Sequence, residues 1–536
     1  LIEDTGVPSI AICLLHAYVN PSHERIIAEV IAERHPNVRV VLSSDVCPVH
    51  REFERASTTV INAFLHPVVD RYLDQFAQVV KQAGCVAEPL IMQANGGVLP
   101  VPATRRRPAG LFLSGPSAAV AGAASLATQA GLPSLITLDV GGTSTDICLV
   151  TNGEAHETGH GGTYGEVQGQ PLNMVMTDIV TIGAGGGSLA WVDEGGMLNV
   201  GPKSAGADPG PACYDRGGDG FTLTDAMICL GLLADTSELP GGIKLSLVQA
   251  QQAAMLLVDE LGLSILELAG SVYRIAIANM AEAIRSVTVR RGYDPRDYVL
   301  FACGGAGPMV AAPLAEELDA GSVLIPPDPG VFSAFGLTAA GLRMDFTRAV
   351  EQGSPVMQDR VAFATLMAEL RDDAITSFGE LNVDAAALTL TYTADVRYVG
   401  QGFELRVPLE MGDSESKGAA YVSEAFHGVH AVRYGHAFED QAVEITALRL
   451  MASSSAPSVL SQWRTLPTGQ GADRRTVHIG GVETETSIHD RAGLASGEPV
   501  PGPVLCIEPT TTTSVPTNWT ARSDDFGLLH LERRNA

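Results

Sequence analysis

The stretch Leu135–Val150, LITLDVGGTSTDICLV, decides how the chain is read. Two short runs rich in Leu, Ile and Val flank Gly141-Gly142-Thr143-Ser144-Thr145, which predicts a β-hairpin closed by a Gly-Gly turn. The turn offers consecutive backbone N–H groups, with no side chain in the way at the two glycines. Such a concavity suits a phosphate. The hydroxyls of Thr143, Ser144 and Thr145 can donate to phosphate oxygens. Asp139 and Asp146 bracket the turn. Carboxylates sit against phosphate only when a cation lies between, so the pair points to a divalent ion, Mg²⁺ or Mn²⁺, bound directly or through water. Gly-Gly alone is an ordinary turn; the flanking acids and the hydroxyls make this one chemically pointed.

Two further glycine loops lie outward from the hairpin. Gly183-Ala184-Gly185-Gly186-Gly187-Ser188 follows the strand-like IVTI. Glycines such as Gly185 and Gly186 let a backbone come very near a ligand, although the spacing is not that of a dinucleotide fingerprint. Asp178, just upstream, is a candidate metal ligand or activating base; the competing reading is a strand-end carboxylate closing a local turn. Gly304-Gly305-Ala306-Gly307-Pro308 sits between a strand and a helix. Gly304, Gly305 and Gly307 there suit a ribose or phosphate at a helix N-terminus, or plain close packing. Together the three loops point to a nucleotide site.

Other polar residues read as structural. Asp208 and Asp225 fall in loop-like stretches and read as solvated or turn-capping carboxylates. His427 and His430 share a helix face and His436 follows, but one helix turn supplies too few ligands for a metal. His156 and His160 flank a Gly-rich loop. The chain has no nucleophile elbow and no P-loop signature.

The 536 residues should hold roughly three domains. Hydrophobic residues at 46% and charged residues at 18% describe a packed globular protein. With 34 basic and 61 acidic residues the formal net charge is −27, which argues against nucleic-acid or anionic-membrane partners. Eight scattered cysteines without a CxxC pair fit reduced thiols in a cytoplasmic protein. Leu1 opens directly into a buried-strand pattern, as a chain that begins in mid-domain would.

Strands are predicted at Ser9 to Leu15, Val38 to Ser43 and Pro89 to Gln93, and a helix over SHERIIAEVIAERH. A second helix runs from about Thr58 to Ala83, interrupted near Pro67. Ser114 to Gly131 is a small-residue helix, and Leu247 to Arg291 one long helical region. DYVLFACGGAGPMVAAPLAEEL reads as strand, loop and helix, and SVLIPP as the next strand. Alternation of this kind predicts α/β architecture. After about Thr347 the pattern becomes a mixed, β-rich domain, with Gly469 to Arg474 as a loose loop.

The chain resembles the hydantoinase A / 5-oxoprolinase family, which includes N-methylhydantoinase A and acetone carboxylase β-type subunits. The resemblance rests on REFERASTTVINAFLHPVVDRYL, IMQANGGV, LSGPSAAVAGA, LDVGGTSTDICLV, TIGAGGGSLAWVD, VGPKSAGADPGPACY and FACGGAGPM, with RYVGQGFEL and RYGHAFED further on. It implies an α/β fold of actin-like ATPase (ribonuclease H-like) lobes with a mixed α+β C-terminal domain. The implied segments are 1–125, the rest of a first lobe; 126–346, a second lobe; and 347–536. It also implies ATP hydrolysis coupled to opening a cyclic amide such as a hydantoin or 5-oxoproline, or to carboxylating a ketone, together with a hydantoinase B-type partner. Asp139 to Asp146 would be the second-lobe phosphate hairpin and Gly304 to Gly307 the adenosine-side loop. Family members open with another D-x-G-G-T hairpin. Only one is found here, so a fragment, a second chain supplying the other half, or a non-catalytic scaffold are the accompanying expectations.

Overall fold

The computed structural model of the protein describes residues 2–132, 134–158, 165–235, 238–239, 241–351, 353–357, 359–410, 419–455, 473–494 and 498–534. The chain packs as two units, each built from separated segments. Leu1–Ser117, Glu157–Asp178 and Ala340–Pro457 form the first; Ala118–His156, Ile179–Ala339 and Ser458–Ala536 form the second. This grouping cuts across the sequential segments 1–125, 126–346 and 347–536.

In the second unit, strands Ser134–Val140 and Thr145–Thr151 form the hairpin, with Leu138 opposite Ile147 and Asp139 opposite Asp146. Val180–Ile182 adds an antiparallel edge to one side. Val299–Cys303 and then Ser322–Ile325 extend the other side in parallel. Three antiparallel strands followed by two parallel ones give the sheet of an actin-like lobe. The expected α/β, ribonuclease H-like architecture is therefore present. The sheet continues antiparallel through Leu529–Arg533, Trp519–Ser523 and Val500–Pro501, so the last residues of the chain complete a sheet begun near residue 134.

Both faces of this sheet are covered. Leu138, Val140, Ile147 and Leu149 pack with helices Ile265–Val287 and Gly307–Glu317. Leu135, Cys148 and Val150 pack with helix Ser114–Ala130, Phe301 and Phe332. Two-sided burial is why LITL and ICLV are continuous apolar runs rather than alternating ones. The expected long helix after Leu247 is two, Leu247–Leu261 and Ile265–Val287. Gly262 takes a left-handed conformation (φ +68°) and Ser264 with Glu267 forms a capping box for the second.

In the first unit, strands Ser9–Ile12 and Arg39–Leu42 pair in parallel around helix Ser22–Arg34. Helix Glu52–Gln82 runs on through Pro67 without a break, contrary to the interruption expected there. A proline deprives the carbonyl four residues back of its partner. That carbonyl belongs to Ala63, and it accepts the Ser9 hydroxyl at 2.6 Å. Further on, Arg343–Ala349, Val443–Ser454, Leu388–Tyr398 and Leu405–Leu409 make an antiparallel sheet. Phe363, Phe378 and Phe426, from helices Arg360–Gly379 and Ala419–Tyr434, lie in the core packed on it. Of the loop expected at Gly469 to Arg474, residues 469–472 lie outside the described residues, and Asp473 and Arg474 open strand Asp473–Ile479. Among the described residues no helix is long and apolar enough to cross a membrane.

Helix Phe332–Ala339 approaches helix Ser114–Ala130 through glycine. A Cβ at Gly336 would lie 1.9 Å from the Ala118 carbonyl oxygen, and one at Gly122 would lie 2.9 Å from the Gly336 Cα. Gly336→Ala should therefore destabilise the protein by about 1–3 kcal/mol through overpacking, read as a lower denaturation midpoint; an unchanged midpoint would contradict this packing.

Candidate functional site

The hairpin turn is built to leave donors free. Gly141 N–H donates to the Ser144 carbonyl at 3.0 Å and closes the turn. Among the described residues, the N–H groups of Gly142, Thr143 and Ser144 donate to no protein acceptor. Gly142 and Thr143 are exposed. A Cβ at Gly142 would meet nothing within 4 Å, so no neighbour within the protein requires glycine there. A turn that presents three successive amides without protein acceptors is an anion site in form.

The second glycine loop clasps this turn from behind. Gly186 N–H donates to the Gly141 carbonyl at 3.0 Å, and Gly187 N–H to the Gly142 carbonyl at 2.6 Å. A Cβ at Gly185 would lie 2.8 Å from Ser144 N and 2.9 Å from the Gly141 carbonyl oxygen. Gly185 N–H is taken by the Ser188 hydroxyl at 2.8 Å. Gly185 and Gly186, expected to face a ligand, instead allow one backbone to lie against another. Thr145 is corrected in the same way: it is buried, and its hydroxyl donates to the Ala184 carbonyl. It ties the second loop to the hairpin and is not available to a phosphate. Thr224 adds to the clasp, its N–H donating to the Gly186 carbonyl at 2.7 Å and its hydroxyl at 2.8 Å.

The third loop closes the other side. Gly304 has φ +81°, and a Cβ there would lie 2.4 Å from the Val140 carbonyl oxygen and 2.5 Å from Asp139 Oδ1. Only glycine tolerates both constraints. Its N–H donates to Pro329 O at 2.8 Å. Gly305 is exposed, and its carbonyl accepts the Thr511 hydroxyl at 2.8 Å. Gly307 opens helix Gly307–Glu317, whose N-terminus carries no side-chain cap. Such an end favours an anion.

Asp139 and Asp146 sit directly opposite each other, where like charges repel. Burial pushes the Asp139 carboxyl up; the Ser333 hydroxyl, donating to Oδ2 at 3.0 Å, opposes this, and the Asp146 charge adds to it. Burial likewise pushes Asp146 up against the Thr181 hydroxyl, which donates to Oδ1 at 2.5 Å. Cys303, buried beside both, is raised well above an ordinary thiol by burial and by their charges. No cationic side chain offsets the pair among the described residues. Two crowded carboxylates facing free amides fit a hard divalent cation shared with an anionic ligand. No group of three or more His, Cys, Asp or Glu among the described residues could hold a metal by itself. Thr181 opens the quoted stretch TIGAGGGSLAWVD, but nothing there marked its hydroxyl for Asp146, and Ser333 lies in no quoted motif.

The remaining candidates lie elsewhere. Asp178 is half-buried and is the last residue of the first unit's middle segment, so it does not belong to the unit that holds the hairpin. Asp225 is fully buried on helix Leu223–Cys229 and accepts from Cys213 N at 2.7 Å and Thr222 N at 2.8 Å, a capping role. Asp208 is exposed. His156 bonds Thr151 Oγ1 through Nε2 at 2.9 Å, and His160 lies outside the described residues. In the first unit, His427 Nδ1 meets the Tyr398 hydroxyl at 3.0 Å and His430 Nδ1 the His436 carbonyl at 2.6 Å, within a cluster of rings.

The family model Hydantoinase/oxoprolinase matches residues 55–346, and the model for the Hydantoinase/oxoprolinase C-terminal domain matches 355–534. The chain belongs to the hydantoinase/oxoprolinase family. Caprolactamase subunit alpha of Pseudomonas jessenii, a relative, is 32% identical over 549 residues, 99% of this chain and 77% of that protein. The crystal structure of ATP-dependent caprolactamase from the same organism superposes with a TM-score of 0.83 at 29% identity, covering 100% of this chain and 78% of that one. A nucleotide-free acetone carboxylase structure superposes with a TM-score of 0.76 at 25% identity, covering 99% and 77%. The hydantoinase/oxoprolinase family thus includes ATP-dependent enzymes of both the amide-opening and the carboxylating kind.

Because burial raises both carboxyls, ionising them costs the folded state more than the unfolded. That cost is absent below the ordinary aspartate value and grows as pH rises through their folded values. Without divalent cations, Asp139→Asn should be more stable than the parent at pH 7, and the difference should vanish toward about pH 4. Denaturation midpoints across pH measure this; a variant less stable at every pH would contradict it.

Proposed function

We propose that the chain is the nucleotide-handling subunit of an ATP-dependent enzyme that opens a cyclic amide of the hydantoin, 5-oxoproline or lactam type. The observation that carries this reading is the row of unpartnered N–H groups at Gly142, Thr143 and Ser144 beside the crowded Asp139–Asp146 pair. The amides take phosphate oxygens, with the hydroxyls of Thr143 and Ser144 as further donors. Asp139 and Asp146 hold Mg²⁺ or Mn²⁺, which supplies the charge neutralisation that phosphoryl transfer requires. Gly305 and Gly307 lie along the nucleotide on the opposite side of the hairpin. Gly304 lets its own loop come close to Asp139.

An amide is resonance-stabilised and a poor electrophile. Transfer of the γ-phosphoryl group of ATP to its oxygen, with ADP leaving, activates the carbon; water adds there, the C–N bond breaks with a proton passing to nitrogen, and a second water releases phosphate from the resulting acyl phosphate, while the protein's share of the work is to position phosphates and hold charge. The relatives are named as subunits, and a hydantoinase B-type polypeptide is the partner proposed to complete ring opening. Asp178 is retained as a residue for substrate activation. The reading of a ketone carboxylase subunit stands second. It is favoured by the acetone carboxylase superposition, although the caprolactamase structure superposes better. A cytoplasmic site of action is part of the same proposal, in keeping with eight scattered cysteines without a CxxC pair.

The test is ATP hydrolysis by the chain with its B-type partner, in the presence of caprolactam, hydantoin, 5-oxoproline or acetone. Turnover stimulated by a cyclic amide supports the reading, and stimulation by acetone alone favours the carboxylase. Asp139→Ala and Asp146→Ala should each lower turnover at least ~100-fold, about 3 kcal/mol of barrier, with an unchanged circular dichroism spectrum. Retained turnover in either variant would defeat the assignment.

A further inference from the structure

RYVGQGFEL (residues 397–405) and RYGHAFED (residues 433–440) have no part in the nucleotide reading, yet the fold brings them together at one pocket. Strand Leu388–Tyr398 ends in a turn in which Gln401 N–H donates to the Tyr398 carbonyl at 2.9 Å, with Gly400 left-handed at φ +88°. The Tyr398 hydroxyl accepts Phe438 N–H at 2.7 Å, which holds the second stretch against the first. Helix Ala419–Tyr434 runs into that stretch and carries His430 and Tyr434 one turn apart. The pocket so formed is open and has a volume of about 480 Å³, within the range of small-molecule sites.

His430 lines this pocket and is 3% exposed. Its Nδ1 lies 2.6 Å from the His436 carbonyl oxygen. A carbonyl only accepts, so Nδ1 carries a hydrogen, and in the neutral ring Nε2 is left as an acceptor. Nε2 has no partner among the described residues, and it is not among the polar atoms buried without one. The little surface that His430 exposes to the pocket thus includes Nε2. Gln401 is oriented by the same logic. Its Oε1 accepts Tyr398 N–H at 3.1 Å, so Nε2 is the free end, with no acceptor among the described residues. Tyr434, His436 and Phe438 are exposed along the walls, the last two with ring centroids 4.9 Å apart at 69°. Among the described residues no Lys, Arg, Asp or Glu lines the pocket.

We propose that this pocket binds a compact neutral ring that carries an N–H beside a C=O, that is, a cyclic amide. The N–H donates to His430 Nε2, the C=O accepts from Gln401 Nε2, and the ring lies against Tyr434 and Phe438. One acceptor and one donor define the polar edge of the ligand, and the aromatic faces take its apolar remainder. The absence of a charged wall disfavours an ionic ligand, whose charge would be desolvated without a partner. The walls lead to the same class of molecule as the proposed function without using the phosphate hairpin, and every residue of the site lies in the first unit.

Saturation-transfer difference NMR on the full chain without ATP, at about pH 8 where an ordinary imidazole is neutral, tests this with ε-caprolactam as the probe. Saturable binding is expected. N-Methylcaprolactam, which lacks the N–H, should bind about tenfold more weakly or worse. 5-Oxoproline should bind more weakly than 2-pyrrolidinone, the same ring without a carboxylate. His430→Asn keeps a donor for the His436 carbonyl but loses the Nε2 acceptor, and should weaken caprolactam binding about tenfold or more. Phe438→Ala, at an exposed wall, should weaken it with an unchanged circular dichroism spectrum, and it decides the matter if His430→Asn misfolds. No saturable binding, equal affinity for the N-methyl compound, 5-oxoproline binding as tightly as 2-pyrrolidinone, or unchanged affinity in either folded variant would each overturn the proposal. Caprolactam-stimulated ATP turnover with an unchanged KM in folded His430→Asn would overturn this pocket and leave the nucleotide reading standing. Binding with the expected pattern by a chain that hydrolyses no ATP with its B-type partner would support the pocket and defeat that reading.

Discussion

An antiparallel ladder forces directly opposed residues onto one face of the sheet, and in this hairpin the opposed residues are Asp139 and Asp146. The local chemistry follows from that register. Neither carboxylate can leave that face, and both are partly buried. Ser333 and Thr181 each stabilise one charge, and nothing among the described residues neutralises both. A site with this much unrelieved negative charge next to free amide donors is complementary to a cation and an anion arriving together.

The glycines around this pair answer to different constraints. Gly185 and Gly187 are required because the loop behind the hairpin lies at backbone contact with the turn, and Gly304 because a left-handed residue must pass Asp139. Gly142 has no such requirement within the protein, and its glycine makes sense only toward solvent or a ligand. The clasp of Gly186 and Gly187 onto the carbonyls of Gly141 and Gly142 turns those carbonyls away from the open side. It leaves the N–H groups presented there, so packing behind the turn and binding in front of it are two consequences of one arrangement.

The hairpin was legible because continuous apolar runs around a Gly-Gly turn have few other folded solutions, and the α/β alternation followed from the same reasoning. Glycine function was less legible. Sequence shows that a side chain is missing, not whether a ligand or another backbone fills its place, which is why Gly185 and Gly186 read as ligand-facing; Thr145 read so because the Ala184 carbonyl that takes its hydroxyl is 39 positions away. Pro67 seemed to break a helix because the hydroxyl that satisfies the Ala63 carbonyl comes from Ser9, 54 positions away. The union of Leu529–Arg533 with Ser322–Ile325 is equally non-local, so a β-rich tail gave no sign of which sheet it would join. Ser333 lies in no quoted motif and Thr181 only at the start of TIGAGGGSLAWVD, so their roles become visible only once the carboxylates they serve are placed.

The chain belongs to the hydantoinase/oxoprolinase family, and the turn at residues 139–146 is where its own geometry presents free amides beside paired carboxylates. A crystal structure of the chain soaked with a non-hydrolysable ATP analogue and Mg²⁺ examines that turn most directly. The account predicts phosphate oxygens within hydrogen-bond distance of the Gly142 and Thr143 amides, with the cation between the phosphates and Asp139 or Asp146. An analogue bound elsewhere, with the turn empty and its amides turned to protein acceptors, would contradict it.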